Sequence, residues 1–181
     1  MKKFLKEFIK NPTTVWSVFP SSSKLIHSML KHIDFSQDII IVEFWPWIGN
    51  FTRQILKKAT KWSQIYVFEV QDNFVEELRK IDDPRMHVIH DWAQNLCKYL
   101  DWKKADVVVS WLPFWSLPKE LTKEILEVAH KNLKFDWIYL QFQYFLQNKK
   151  DIHNTFKNHS ISWQPVNFPP AFVYKCHKIH N

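Results

Sequence analysis

The chain has 181 residues, which suits one domain built on one core. Apolar residues make up 46% of it, so it is globular rather than disordered, and no run of 18 or more uncharged apolar residues is present to span a bilayer. Two cysteines, Cys97 and Cys176, are too few for a disulfide framework, and a net charge of +7 with a pI near 9.3 favours an anionic partner, either nucleic acid or a lipid surface.

Residues 1–10 (MKKFLKEFIK) place Phe4, Leu5, Phe8 and Ile9 on one helical face, with Lys2, Lys3, Lys6, Glu7 and Lys10 around the rest. They lack the long apolar core and small-residue cleavage site of a secretory signal, and Asn11-Pro12 breaks the segment. Ser21–Ser23 offer N-caps for a helix over about Lys24–His32. Ile39–Phe44 (IIIVEF) is a β-branched run that reads as a buried parallel strand. A helix over Phe51–Lys61, a strand over Gln64–Glu69 and a helix over Asn73–Ile81 follow. Met86–Ile89 reads as a short strand, with a helix near Gln94–Leu100, and Ala105–Ser110 (ADVVVS) as a fourth strand. Leu121–Leu133 is an amphipathic helix, Ile138–Phe145 a fifth strand and Asp151–Phe156 a short helix. Two last strands, near Ile161–Val166 and Phe172–Cys176, are joined by Asn167-Phe168-Pro169-Pro170. This alternation predicts an α/β fold: a doubly wound parallel sheet of seven strands that ends in a C-terminal antiparallel hairpin. Residues 1–35 are expected to form N-terminal amphipathic and capping helices, and residues 36–181 the domain itself.

Soluble proteins average about 7% glycine, yet this chain has one glycine and ten tryptophans. Most of those tryptophans stand at turns. The segment Glu43-Phe44-Trp45-Pro46-Trp47-Ile48-Gly49-Asn50 follows the first strand, where a loop that admits a cofactor to its backbone wants glycines. With glycine at 45 and 47 it has the spacing E-x-G-x-G-x-G. Trp62 lies at an expected helix C-cap, and Trp102 and Trp137 follow aspartates where Asp-Gly turns are expected. Trp111 and Trp115 flank Leu112-Pro113-Phe114, and Trp16, Trp92 and Trp163 occupy loop or boundary positions. Aromatic anchors belong on apolar faces of helices and strands rather than in turns. The distribution predicts UGA codons read as glycine by the organism and rendered here as tryptophan.

With glycine at these places the chain resembles the bacterial phospholipid N-methyltransferases, class I S-adenosylmethionine-dependent enzymes related to the ribosomal RNA adenine dimethyltransferases. The likeness runs through Asn11–Trp16 with Pro20–Ser23, Val42–Thr52, Ser110–Phe114 with Ser116–Pro118, Gln141–Tyr144, and Asn167–Tyr174. It implies a Rossmann-like methyltransferase sheet and S-adenosylmethionine as cofactor. Glu43 and the loop carrying Trp45, Trp47 and Gly49 would surround the methionine part of that cofactor. Glu69, at the end of the second strand, would accept the ribose hydroxyls; its other reading is a solvated strand-end charge. Asp91 would meet the adenine amino group with Ala93 beside the ring, unless Asp91 is an ordinary turn residue. Ser110, Leu112, Pro113 and Phe114 would form the substrate-side wall, where a carbonyl or hydroxyl holds the accepting amine. Tyr144 would orient that amine or take its proton, or else serve as a core tyrosine. The chemistry implied is in-line displacement on a sulfonium, with positioning supplying much of the rate.

The partners implied are a phospholipid substrate and an anionic membrane surface met through residues 1–10, or else those residues pack on their own domain. No stable protein partner is implied, and the expected place is cytoplasmic, peripheral on the inner face of the membrane. Adenine N6-dimethylation of ribosomal RNA is the alternative, since nucleic acid suits the charge equally well. Against it, that family has Asn where this chain has Ser110, and a helical RNA-binding domain after the last strand. Literal tryptophans give a third reading, an inactive relic. His87-x-x-His90-Asp91 and Cys176-His177-x-x-His180 lack a matching second pair, so no metal site is expected.

Overall fold

The computed structural model describes residues 23–165 and 169–179. The helix expected over residues 1–10, Trp16 and part of the final connection lie outside the described residues. Stretches of five to eleven residues, richest in β-branched side chains at β1, β2 and β4, become strands, and amphipathic stretches between them become helices. In chain order these are α1 (Ser23–Leu30), β1 (Ile40–Phe44), α2 (Asn50–Lys58), β2 (Gln64–Glu69), α3 (Asp72–Arg79), β3 (Met86–His90), β4 (Ala105–Ser110), α4 (Lys119–Asn132), β5 (Leu133–Gln143), α5 (Lys149–Thr155), β6 (Asn158–Gln164) and β7 (Ala171–His177). 3₁₀ segments occupy Ala93–Lys98 (two turns) and Phe114–Ser116 (one turn), the first where a helix was expected.

The seven strands form one sheet in the order β3-β2-β1-β4-β5-β7-β6. The first five are parallel, while β7 runs antiparallel to both β5 and β6. Right-handed crossovers between parallel strands place helices on both faces, and alternate residues of each strand feed two cores. Val42, Phe44, Phe68, Val108 and Tyr139 pack under α4 and α5, with Leu121, Ile125 and Ile152. Ile41, Ile65, Val67, Val107, Val109 and Leu140 pack under α1 to α3, with Met29, Ile55 and Leu78. The expected doubly wound sheet with a terminal antiparallel pair is therefore present.

β5 begins five residues earlier than the sequence predicts. Its pairing with β4 shifts between Ala105 and Val107, and Asp136 takes φ 65° at the irregularity. Trp137 consequently lies inside the strand and packs on both cores, rather than in an Asp-Gly turn at its start. The amino end of the sheet is tied by charge. Asp106 accepts Ile40 N–H at 2.8 Å and Lys134 Nζ at 2.6 Å, and Arg85 donates to the carbonyls of Leu56, Ala59 and Thr60 that end α2.

Candidate active site

At the carboxyl ends of parallel strands no side chain continues the ladder, and a ligand crevice forms where the strand order reverses. Here that point lies between β1 and β4. The turn after β1 makes it by backbone geometry: Trp45, Trp47 and Gly49 have φ 62°, 57° and 78°. The left-handed φ at 49 favours glycine, and a Cβ there would meet the side-chain ends of Ile81 (Cδ1, 2.9 Å) and Leu78 (Cδ2, 3.0 Å), which would have to give. Trp45 and Trp47 occupy the same left-handed region with full indoles, at a cost of roughly 1 kcal/mol or more each.

Two carboxylates are buried behind this turn. Glu43, on β1, accepts Thr52 Oγ1 at 2.6 Å and Trp111 Nε1 at 3.0 Å. Glu69, ending β2, accepts the backbone N–H groups of Val70 at 2.8 Å, Gln71 at 3.0 Å and Trp47 at 3.3 Å. Removal from water pushes both acids up to about 7, against the hydrogen bonds, which favour the anion. The charge of Glu69 adds to the rise at Glu43. Glu69 is only 1% exposed, so it is not a solvated strand-end charge.

Asp91 follows β3 and is held open toward the crevice by Trp92 N–H and Asn95 Nδ2, both at 2.7 Å, and Tyr99 OH at 2.8 Å. Partial burial raises its carboxyl, but these bonds with the Lys98 charge outweigh it and leave a net lowering. Asp91 and Ala93 line a cavity together with Trp45, Phe68, Trp92 and Leu112. Its volume is about 20 Å³, room for a single water. A cofactor-sized ligand needs several hundred Å³. The backbone and acids suit a nucleoside with a charged tail; the indole of Trp45, which lines the cavity, does not.

On the far wall, Ser110 ends β4 with its Oγ near Leu112 N–H at 3.4 Å. Leu112 carbonyl oxygen accepts Gln141 Nε2 at 3.0 Å, Gln143 Nε2 at 2.9 Å and Phe114 N–H at 3.0 Å, so no lone pair is left free. Pro113 carbonyl accepts N–H and Oγ of Ser116, both at 2.9 Å. Phe114 is a core side chain, 1% exposed. Tyr144 is half-buried, 4.8 Å from the Phe142 ring and 5.5 Å from Trp115. The structure thus brings Trp45, Asp91, Ala93 and Leu112 to one cavity, with Glu43 and Glu69 behind the turn, and sets Phe114 in the core. Gln141, Gln143 and Thr52 fall within segments that carry the resemblance but were given no role, and Asn95 and Tyr99 were not singled out; all five hold the site. The signal for Asn95 and Tyr99 was only polar residues one or two turns from an acid.

The other described tryptophans differ from the first two. At 102 and 137 the left-handed φ belongs to the preceding aspartate, Asp101 at 53° and Asp136 at 65°. Trp62 and Trp102 are exposed turn residues, α2 is capped by Ala59 rather than at Trp62, and Trp163 lies within β6. The His87 ring stacks on Tyr66 and His90 Nε2 meets Val70 carbonyl at 3.2 Å. Among the described residues no group of three or more His, Cys, Asp or Glu is placed to hold a metal.

No protein-family model matches the sequence. A curated relative, an ornithine lipid N-methyltransferase from Singulisphaera acidiphila, is 26% identical over 188 residues, 96% of this chain and 93% of the relative. Among solved structures, an rRNA methylase from Streptococcus thermophilus superposes with TM-score 0.65 at 16% identity, over 90% of this chain and 99% of its own. A precorrin-6y C5,15-methyltransferase from Geobacter metallireducens gives 0.73 at 9%, over 93% and 96%. A T. thermophilus 16S rRNA N2 G1207 methyltransferase in complex with AdoMet and guanosine gives 0.71 at 13%, over 92% of this chain and 45% of its own. The fold is the Rossmann-like fold of class I S-adenosylmethionine-dependent methyltransferases.

Proposed function

We propose that the chain, as an S-adenosylmethionine-dependent methyltransferase, N-methylates the amine of a membrane lipid of the phosphatidylethanolamine type, and that positions 45 and 47 are glycines in the working enzyme. The observation that carries the reading is the β1 turn: three left-handed residues in five, beside a buried acid at the end of β2, with the wrong side chains on two of them. Likeness to a lipid N-methyltransferase along nearly the whole chain supports the acceptor class. Glu69 would take the ribose hydroxyls, Asp91 and Ala93 the adenine, and Glu43 with the loop the methionine part. Bound there, the cofactor supplies an electrophilic methyl group. The chain's own contribution is a wall, Ser110 to Phe114, against which the amine is oriented, with Tyr144 at its edge. Since Leu112 carbonyl already accepts three hydrogen bonds, the amine's partner on that wall would be another group, such as the Ser110 hydroxyl.

Tryptophan at 45 favours a second reading, a chain that binds no cofactor. Calorimetry with S-adenosylmethionine separates the two. The W45G/W47G chain is expected to bind with at least tenfold higher affinity than the chain with both indoles; binding by neither overturns the enzyme reading. UGG codons at 45 and 47 would sink the recoding. Transfer of labelled methyl is then compared on phosphatidylethanolamine, ornithine lipid and ribosomal RNA. Transfer to RNA alone would exchange the proposed acceptor for adenine.

A further inference from the structure

The loops after β4 and β5 leave the carboxyl end of the sheet side by side, and each carries aromatic side chains outward. Trp115 lies 5.5 Å from the Tyr144 ring and 5.7 Å from that of Phe145. Phe145 is 49% exposed and Leu146 beside it 41%, whereas Trp115 and Tyr144 are half-buried. Exposed lysines adjoin the cluster in the chain: Lys119 opens α4, and Lys149 and Lys150 open α5, with Lys149 N–H on Leu146 carbonyl at 2.9 Å. Exposed apolar residues at the other end of the sheet, Trp62 and Trp102, stand in separate turns.

We propose that Trp115, Tyr144, Phe145 and Leu146, with the chain-adjacent Lys119, Lys149 and Lys150, form a docking face for an anionic lipid surface. The inference rests on the lipid reading of the site and places a second contact besides residues 1–10. Three properties fit that occupant. Phe145 and Leu146 offer a consecutive apolar pair to enter the acyl boundary, while Trp115 and Tyr144 carry the polar-tipped rings that settle at headgroup depth. The three lysines outnumber the neighbouring Glu120 and Asp151 and attract anionic headgroups, in a chain whose net charge is +7. Trp115 also follows Ser110–Phe114 directly in the chain, so the face lies next to the proposed substrate wall. Single-stranded nucleic acid fits less well, because it needs successive flat rings along a basic groove, and Leu146 cannot stack on a base.

Sedimentation of the full chain with phosphatidylglycerol–phosphatidylcholine vesicles tests this. F145S/L146S is expected to weaken binding at least tenfold, and K149E/K150E about tenfold with loss of its salt dependence, while thermal midpoints stay at the parent value. W102S, at the far end of the sheet, is expected to bind as the parent does. Parent-like vesicle binding by F145S/L146S, no vesicle binding by the parent chain, or binding abolished by F4S/F8S alone would each overturn the proposal. So would a single-stranded RNA affinity that falls with F145S/L146S while vesicle binding does not. Cofactor binding by W45G/W47G is measured without lipid, so failure of the docking face and failure of the enzyme reading give different results.

Discussion

The turn after β1 and the loop after β4 leave neighbouring strands at the same end of the sheet, yet they hold their tryptophans in opposite ways. Trp45 and Trp47 are forced into left-handed backbone, and one indole lines the small cavity beside Asp91. Trp111 has ordinary backbone, donates its N–H to buried Glu43 and lies 5.2 Å from the Phe51 ring and 5.6 Å from Phe142. Standing in a turn therefore does not mark a tryptophan as foreign; the dihedral it must adopt does. By that criterion glycine is called for at 45 and 47, and nothing in the backbone calls for it at 111.

The largest expected effect tests that contrast. W111G removes an indole packed between two rings and strips Glu43 of a hydrogen bond, so urea unfolding should show a loss of about 3–5 kcal/mol. W45G/W47G also loses ring contacts, of Trp47 on Phe74 and of the two indoles on each other. Relief of two left-handed side chains offsets that loss, and the double variant should cost less than half as much as W111G. Equal losses would show that backbone strain does not distinguish the two loops.

The pH response sharpens the comparison from the side of the acids. Glu43 and Glu69 both rise from an ordinary 4.5 to about 7 in the folded chain. The folded state therefore binds more protons than the unfolded state between these values. The stability they contribute is complete below pH 4.5 and is lost as pH rises toward 7, by about 1.4 kcal/mol per unit for each group. E69Q, neutral throughout, should flatten the fall in urea midpoint between pH 5 and 7. Because burial lowers His32, His87, His130 and His177 and makes their contribution climb over the same window, the parent midpoint alone does not decide; an E69Q slope equal to the parent's would contradict the burial of Glu69.

What was legible in the sequence follows from how local each cause is. β2 and β4 match their expected limits at Gln64–Glu69 and Ala105–Ser110, because a β-branched run with turn residues at both ends needs no partner to be recognised. The start of β5 was not legible. Leu133 both ends α4 and begins the strand without a break signal, and the kink at Asp136 depends on pairing with β4. Asp101 and Asp136 take the left-handed positions that Trp102 and Trp137 were expected to need, since a short polar side chain tolerates αL. Glu69 could be read as a site acid from its strand-end position. The bonds of Gln141 and Gln143 to Leu112 could not, because they depend on the register that sets Ser110 beside Gln141.

Those two glutamines give the smallest effect and divide the β4 loop's anchorage. Both donate to Leu112 carbonyl, but they are not equivalent. Gln141 also donates to Phe142 carbonyl at 2.8 Å and accepts the buried hydroxyl of Tyr139. Gln143 has no protein partner on its own Oε1. Q141M removes two donated bonds and leaves Tyr139 without its acceptor, for an expected loss of about 1–3 kcal/mol. Q143M removes one bond together with a buried oxygen that nothing in the protein satisfies, so its cost should stay near or below 1 kcal/mol. Urea midpoints decide between the two. If Q143M is the costlier change, the loop hangs mainly on Gln143, and its Oε1 is satisfied by a group outside the chain, such as bound water.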